Sequence, residues 1–216
     1  MDTQILWFAS RATGAVSLVL FTAVMVLGIL TAGRAGFATF PRAAVLRLHR
    51  ALSLTAVAFL VVHIVSAIAD GYVDLNYWDV IIPFGAGWDP FWIGLASVAV
   101  DLLIAIGITS ALRRHLSPTL WRAVHFSAYA MWPLALLHGW GNSGGDGQET
   151  WMVVIDIVCV AAVLASLAYR LRPDRHPDTV ARKAADLVHP VASPPTAATT
   201  AEGRMPEAWT STGAHR

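Results

Sequence analysis

The 216-residue chain is 56% hydrophobic and only 13% charged, about half the charged share usual in a soluble domain. Its net charge of +1 gives no sign of a nucleic-acid partner. The single cysteine, Cys159, lies in an apolar run, which excludes an internal disulfide and any cysteine-based metal motif.

Five apolar runs, at 7–31, 45–69, 90–112, 120–140 and 151–171, approach or exceed the length of about 20 residues that crosses a bilayer. Lipid offers the backbone no hydrogen-bond partner, so such runs must be helices. The expected fold is therefore all-α, an integral membrane bundle of five transmembrane helices embedded in a lipid bilayer. The first run follows Met1-Asp2-Thr3-Gln4, which carries an acid and no base, so it reads as a retained helix and not a cleaved signal.

Charges sort by loop. Arg34, Arg42, Arg47 and Arg50 lie between the first two runs, and Arg113, Arg114 and Arg122 between the third and fourth. Arg170, Arg172, Arg175, Arg182 and Lys183 follow the fifth. The acids Asp70, Asp74, Asp79 and Asp89, and then Asp146 and Glu149, occupy the alternate loops. The positive-inside rule then puts the N-terminus outside and the C-terminus in the cytoplasm, as suits a plasma-membrane protein. Trp7, Trp78, Trp88, Trp92, Trp140 and Trp151 fall near the outer boundaries, where an indole is best accommodated. Residues 1–172 form the expected membrane domain. Residues 173–216, rich in Ala, Pro and Thr, read as a disordered cytoplasmic tail. No GxGxxG or P-loop pattern occurs, and no segment is long enough for a flavin or nicotinamide domain.

Four of the eight histidines, His115, His176, His189 and His215, lie in a loop or the tail. The other four lie in two runs of the same direction: His49 and His63 in the second, His125 and His138 in the fourth. Fourteen residues rise about 21 Å along a helix and thirteen about 19.5 Å. His49 and His125 therefore share the inner level and His63 and His138 the outer level, so first pairs with first and second with second. Two axial imidazoles at each level are what two haem b groups require, with each iron ligated from opposite sides.

The rotation is less even. Fourteen residues return to within about 40° of the start, whereas thirteen miss by about 140°. The fourth run needs a distortion, and Pro133 inside it is the expected cause. Ser53, Ala56 and Ala58, with Ser127, Ala128, Ala130 and Ala135, leave room for a flat macrocycle or for close helix packing.

His-x13-His in one helix and His-x12-His in another of the same direction resembles the ferric reductase-like transmembrane domain, over roughly residues 10–170. That group includes ferric reductases, NADPH oxidases and the haem subunit of the methionine sulfoxide reductase system. The resemblance implies that His49 and His125 bind the inner haem and His63 and His138 the outer one. It further implies that electrons enter from the cytoplasm and leave outside. This chain has five expected spans where many relatives have six, and it lacks their attached flavin and nicotinamide domain. A separate cytoplasmic or membrane donor, a flavoprotein or a quinol, must then supply electrons. The outer acceptor would be ferric iron, oxygen or a partner protein.

Arg47, Arg50 and Arg122 flank the inner histidines and are candidates for haem propionates. The positive-inside rule explains them equally well. Arg11 is the outer counterpart. Asp101 and Asp156 are costly charges within apolar runs, open to structural pairing or to a proton path. The acidic, aromatic loop 70–89 is the expected outer docking surface, with an ordinary solvated loop as its alternative. Beside the electron-transfer reading stand two others: a quinol-linked cytochrome b, and a non-haem membrane metal carrier or assembly subunit. The histidines avoid the midplane, which counts against a carrier.

Overall fold

Apolar runs with no alternating pattern satisfy their backbones in lipid by coiling, and every regular element among the described residues is helical. The computed structural model describes residues 2–32, 41–71, 74–142 and 150–172. The expected tail at 173–216 and the charges of the 33–40 and 143–149 loops lie outside them. The long helices are α1 (Asp2–Ala32), α2 (Arg42–Ala69) and α3 (Pro90–Ala111). They are followed by α4 (Pro118–Phe126), α5 (Ala128–Asn142) and α6 (Thr150–Leu171). Two short 3₁₀ turns, Tyr77–Val80 and Arg113–His115, join them.

Four of these helices, α1, α2, α3 and α6, are each long and apolar enough to cross a membrane. They correspond to the first, second, third and fifth runs of the sequence. The fourth run is not one helix but two. α4 starts cleanly, with Pro118 in its first turn and the Ser117 hydroxyl accepting the Leu120 N–H at 3.2 Å. It ends at Ser127, where the ladder tightens. The Ser127 N–H bonds to the Val124 carbonyl at 3.0 Å and the Ala130 N–H to the Ser127 carbonyl at 2.9 Å. The Ser127 hydroxyl also donates to the Val124 carbonyl, at 2.6 Å. The expected distortion is present, but its site differs: α5 runs through Pro133 without interruption. Bonds of the i→i−3 kind wind at about 120° per residue against about 100°, which turns His138 in the direction that closes the rotational gap.

α1 is the hub. It packs against α2, α5 and α6, while α3 packs against α5. The core gathers Phe21, Met25 and Ile29 of α1 with Ala56 of α2, Met131 and Trp132 of α5, and Cys159 and Val163 of α6. Cys159 thus serves packing, as an apolar run implied. A polar tie through this core is the Trp132 indole N–H, which donates to the Thr22 hydroxyl at 2.9 Å.

The segment between α2 and α3 is pinned to the bundle. Asn76 and Asp79 form a reciprocal capping box, with the Asn76 N–H reaching Asp79 Oδ2 at 2.8 Å. The Ser97 hydroxyl of α3 donates to the Asp79 carbonyl at 2.6 Å. Phe84 takes a left-handed conformation (φ 64°) that lays its ring where a Cβ on Gly94 would stand. Asp70 and Asp79 are buried, so only Asp74 and Asp89 of the acids in loop 70–89 present exposed side chains. The aromatic part fares differently, since Tyr77, Trp78, Phe84 and Trp88 are exposed.

Replacing Thr22 with Val leaves the buried Trp132 N–H without an acceptor. The expected cost is about 1 kcal/mol, within the range of interhelical hydrogen bonds. Thermal unfolding in detergent should show the loss in the native background and not in a Trp132→Phe background.

Candidate functional site

The four span histidines come together as two pairs. His49 of α2 faces His125 of α4, with ring centroids 6.3 Å apart and planes inclined by 58°. His63 of α2 faces His138 of α5, with centroids 6.5 Å apart and planes inclined by 73°. First pairs with first and second with second, as the residue spacing required.

These separations have a chemical meaning. A metal–imidazole bond is about 2.0 Å and the ring centroid lies about 1.1 Å behind the nitrogen, so two imidazoles on opposite sides of one metal would have centroids about 6.2 Å apart. Direct stacking of two rings would bring them closer than that. Between α2 and the α4–α5 pair there is no broad helix packing among the described residues. The space belongs to the rings and to what they bracket.

The second pair is oriented by backbone. His63 Nδ1 lies 2.8 Å from the Ser10 carbonyl, with the Ser10 hydroxyl 3.4 Å away. His138 Nδ1 lies 2.9 Å from the Trp92 carbonyl. A carbonyl can only accept, so in both rings Nδ1 carries the proton and Nε2 keeps its lone pair. That is the usual arrangement for a metal-bound histidine, whose other nitrogen donates to a carbonyl or carboxylate. Trp92 is held against α5 because Gly141 leaves room for its ring.

The first pair is held more loosely. The His49 ring comes within reach of the Val24 backbone. His125 Nδ1 is buried without a partner, and stacking fixes the ring instead: Trp121 lies parallel to it at 4.9 Å. The Arg113 guanidinium lies over the Trp121 ring at 4.1 Å.

A cavity of about 820 Å³ opens beside the second pair, walled by His63, His138, Ser10, Arg11, Gly14 and Asp156 among others. The Arg11 guanidinium sits over the Trp7 ring at 4.6 Å. Arg47, Arg50 and Arg122 are exposed, and the cation joined to the histidine pairs through ring contacts is Arg113, which the sequence did not single out. The signal was available, since Trp121 precedes His125 by one helical turn and so shares its face. Asp101 is half-buried, outside the cavity wall.

The residues present fit a haem better than a bare ion. Among the described residues no three of His, Cys, Asp and Glu gather to hold a metal ion. Each pair of imidazoles could supply two ligands to one iron, and a macrocycle would bring the remaining four.

Comparison with known proteins agrees in kind. A family model described as ferric reductase like transmembrane component matches residues 13–136, more than half of the chain. The matched stretch contains His49, His63 and His125 and stops just short of His138. No curated protein and no solved structure matches the chain.

The pairing can be read chemically in a Cys159→Ala background. A short thiol-specific bifunctional reagent should link His49→Cys to His125→Cys, and His63→Cys to His138→Cys, with the linked peptides identified by mass spectrometry. Linking of His49→Cys to His138→Cys instead would contradict the two levels.

Proposed function

Because the chain belongs to the ferric reductase-like transmembrane component family, we propose that it is the membrane part of an oxidoreductase and carries electrons across the bilayer through two haem b groups. His49 and His125 would hold one haem, and His63 and His138 the other. The observation that supports this most directly is the pair of ring separations, 6.3 and 6.5 Å, at which each pair could hold one iron between its rings. Bound there, each haem supplies a one-electron carrier.

The protein's own part is orientation and charge. The carbonyls of Ser10 and Trp92 commit the Nδ1 protons of His63 and His138, which fixes the tautomer, aims Nε2 and raises its basicity. Trp121 immobilises His125 through face-to-face contact. Arg113 at the first level and Arg11 at the second would meet propionates, with Arg47, Arg50 and Arg122 exposed nearby in sequence.

In this reading α4 and α5 together make the fourth of five crossings. Residues 118–142 rise about 37 Å, enough for the hydrocarbon core. The loop charges put the N-terminus outside the plasma membrane and the C-terminus in the cytoplasm. Residues 1–172 are then the membrane domain, and 173–216, outside the described residues, follow it on the cytoplasmic side. Electrons would come from a separate flavoprotein or quinol and pass to ferric iron, oxygen or a partner protein at the outer face. The exposed Tyr77, Trp78, Phe84 and Trp88 offer that face an aromatic surface more than an acidic one.

Purified protein should show a reducible b-type spectrum with about two haems per chain by pyridine haemochrome assay. His63→Ala and His138→Ala should each remove one haem, and the double variant no more than one. A colourless protein from cells with ample haem would end this reading.

A further inference from the structure

Each span histidine of α2 meets α1 at a glycine. A Cβ on Gly14 would stand 2.9 Å from His63 Nδ1 and 3.0 Å from its Cε1. A Cβ on Gly28 would stand 3.7 Å from His49 Cε1. The two glycines are fourteen residues apart, the same interval as the two histidines. Halfway between them on α1 is Phe21, and halfway between the histidines on α2 is Ala56, which is fully buried. Along this seam α1 reads small, large, small and α2 reads large, small, large. A seven-residue step keeps such a seam facing its partner along two antiparallel helices.

The backbone contacts repeat with the same interval. His63 bonds the carbonyl of Ser10 at 2.8 Å, four residues before Gly14, and His49 comes within reach of the Val24 backbone, four residues before Gly28. A helical side chain leans towards the N-terminus and covers the turn before its own Cα. Taking the Cβ away at position i therefore uncovers the carbonyl at i−4, whose second lone pair is still free to accept. Small residues also let helices approach closely, but then backbone meets backbone. Here each gap is filled by an imidazole.

We infer that Gly14 and Gly28 are positioning residues. Each opens a slot on α1 through which an α2 histidine reaches a backbone carbonyl, and so turns its Nε2 away from α1. That those Nε2 atoms bind haem iron rests on the function proposed above. The two slots differ in tightness. At position 14 a methyl group forces the pinned His63 ring to move, whereas at position 28 it meets His49 at ordinary contact distance.

The test uses the full chain in detergent with Gly14→Ala, Gly28→Ala and, as a control, Gly107→Ala, where a Cβ meets nothing within 4 Å. Electron paramagnetic resonance of the oxidised protein resolves the two low-spin haems. Gly14→Ala should shift or abolish the signal of one haem and keep the other. Gly28→Ala should shift the other signal, and by less. A second measurement needs no haem. Gly14→Ala should lower the unfolding temperature in the native background and much less in a His63→Ala background, because the two residues are coupled through contact. If Gly14→Ala does not accumulate, recovery of the Gly14→Ala, His63→Ala double variant supports the slot and its failure to recover refutes it. Spectra unchanged by Gly14→Ala, or both haems disturbed alike with no dependence on His63, would overturn the inference. A haem-free native protein would instead overturn the proposed function, leaving the His63 coupling as a separate result.

Discussion

An imidazole inside a bilayer has two nitrogens to satisfy, and lipid satisfies neither. Four such rings lie between the helices of this chain, and the rest of the bundle can be understood as the means of supporting them. Side-chain partners are few there, so the support comes mostly from backbone. Ser10 and Trp92 offer carbonyls that are already half used in their own helices. This solution adds no further charge to the membrane. It also decides which nitrogen of each ring is left to do chemistry, a matter that bond lengths and ring distances alone would leave open.

The support is shared unequally. α1 serves α2, supplying an acceptor and a gap at both levels, and it also carries the Thr22 hydroxyl that ties down Trp132 of α5. α3 serves α5 at one level through the Trp92 carbonyl, with the Trp92 ring seated on Gly141. His125 has no such neighbour. Its ring is steadied by Trp121 from its own helix, and its Nδ1 remains buried and unpaired. The two levels are therefore built to different standards, one locked by backbone and the other by stacking. Reduction potential follows hydrogen bonding and exposure around an iron centre, so two centres in such unlike settings would differ in potential.

Much of this was legible in the sequence because it depends on length and interval. Spans come from apolar runs, and the pairing of His49 with His125 and of His63 with His138 comes from rise per residue. What escaped depends on local competition. Pro133 was the obvious breaker of the fourth run, yet α5 runs through it, and the break lies at Ser127, where backbone bonds shorten to the i→i−3 kind. Asp79 looked like a surface acid, but a backbone N–H three residues earlier claimed it. Arginines were chosen by nearness in sequence, whereas Arg113 reaches the site across a turn by lying on Trp121. Gly14 and Gly28 could have been found. Their interval equals that of His49 and His63, a match visible only once α1 and α2 are set side by side.

Among the described residues, α2 packs broadly on α1 alone, and its other flank meets α4 and α5 through imidazoles and not through a packed helix seam. In architectural terms α2 is fastened to the bundle along α1, and it meets α4 and α5 at the two ring pairs. By mass action, a ligand that bound between those rings only in the folded form would stabilise that form. If the proposed haems are that ligand, a chain made when haem is scarce would hold α2 less firmly on that flank, and its abundance in the cell would track cofactor supply through turnover.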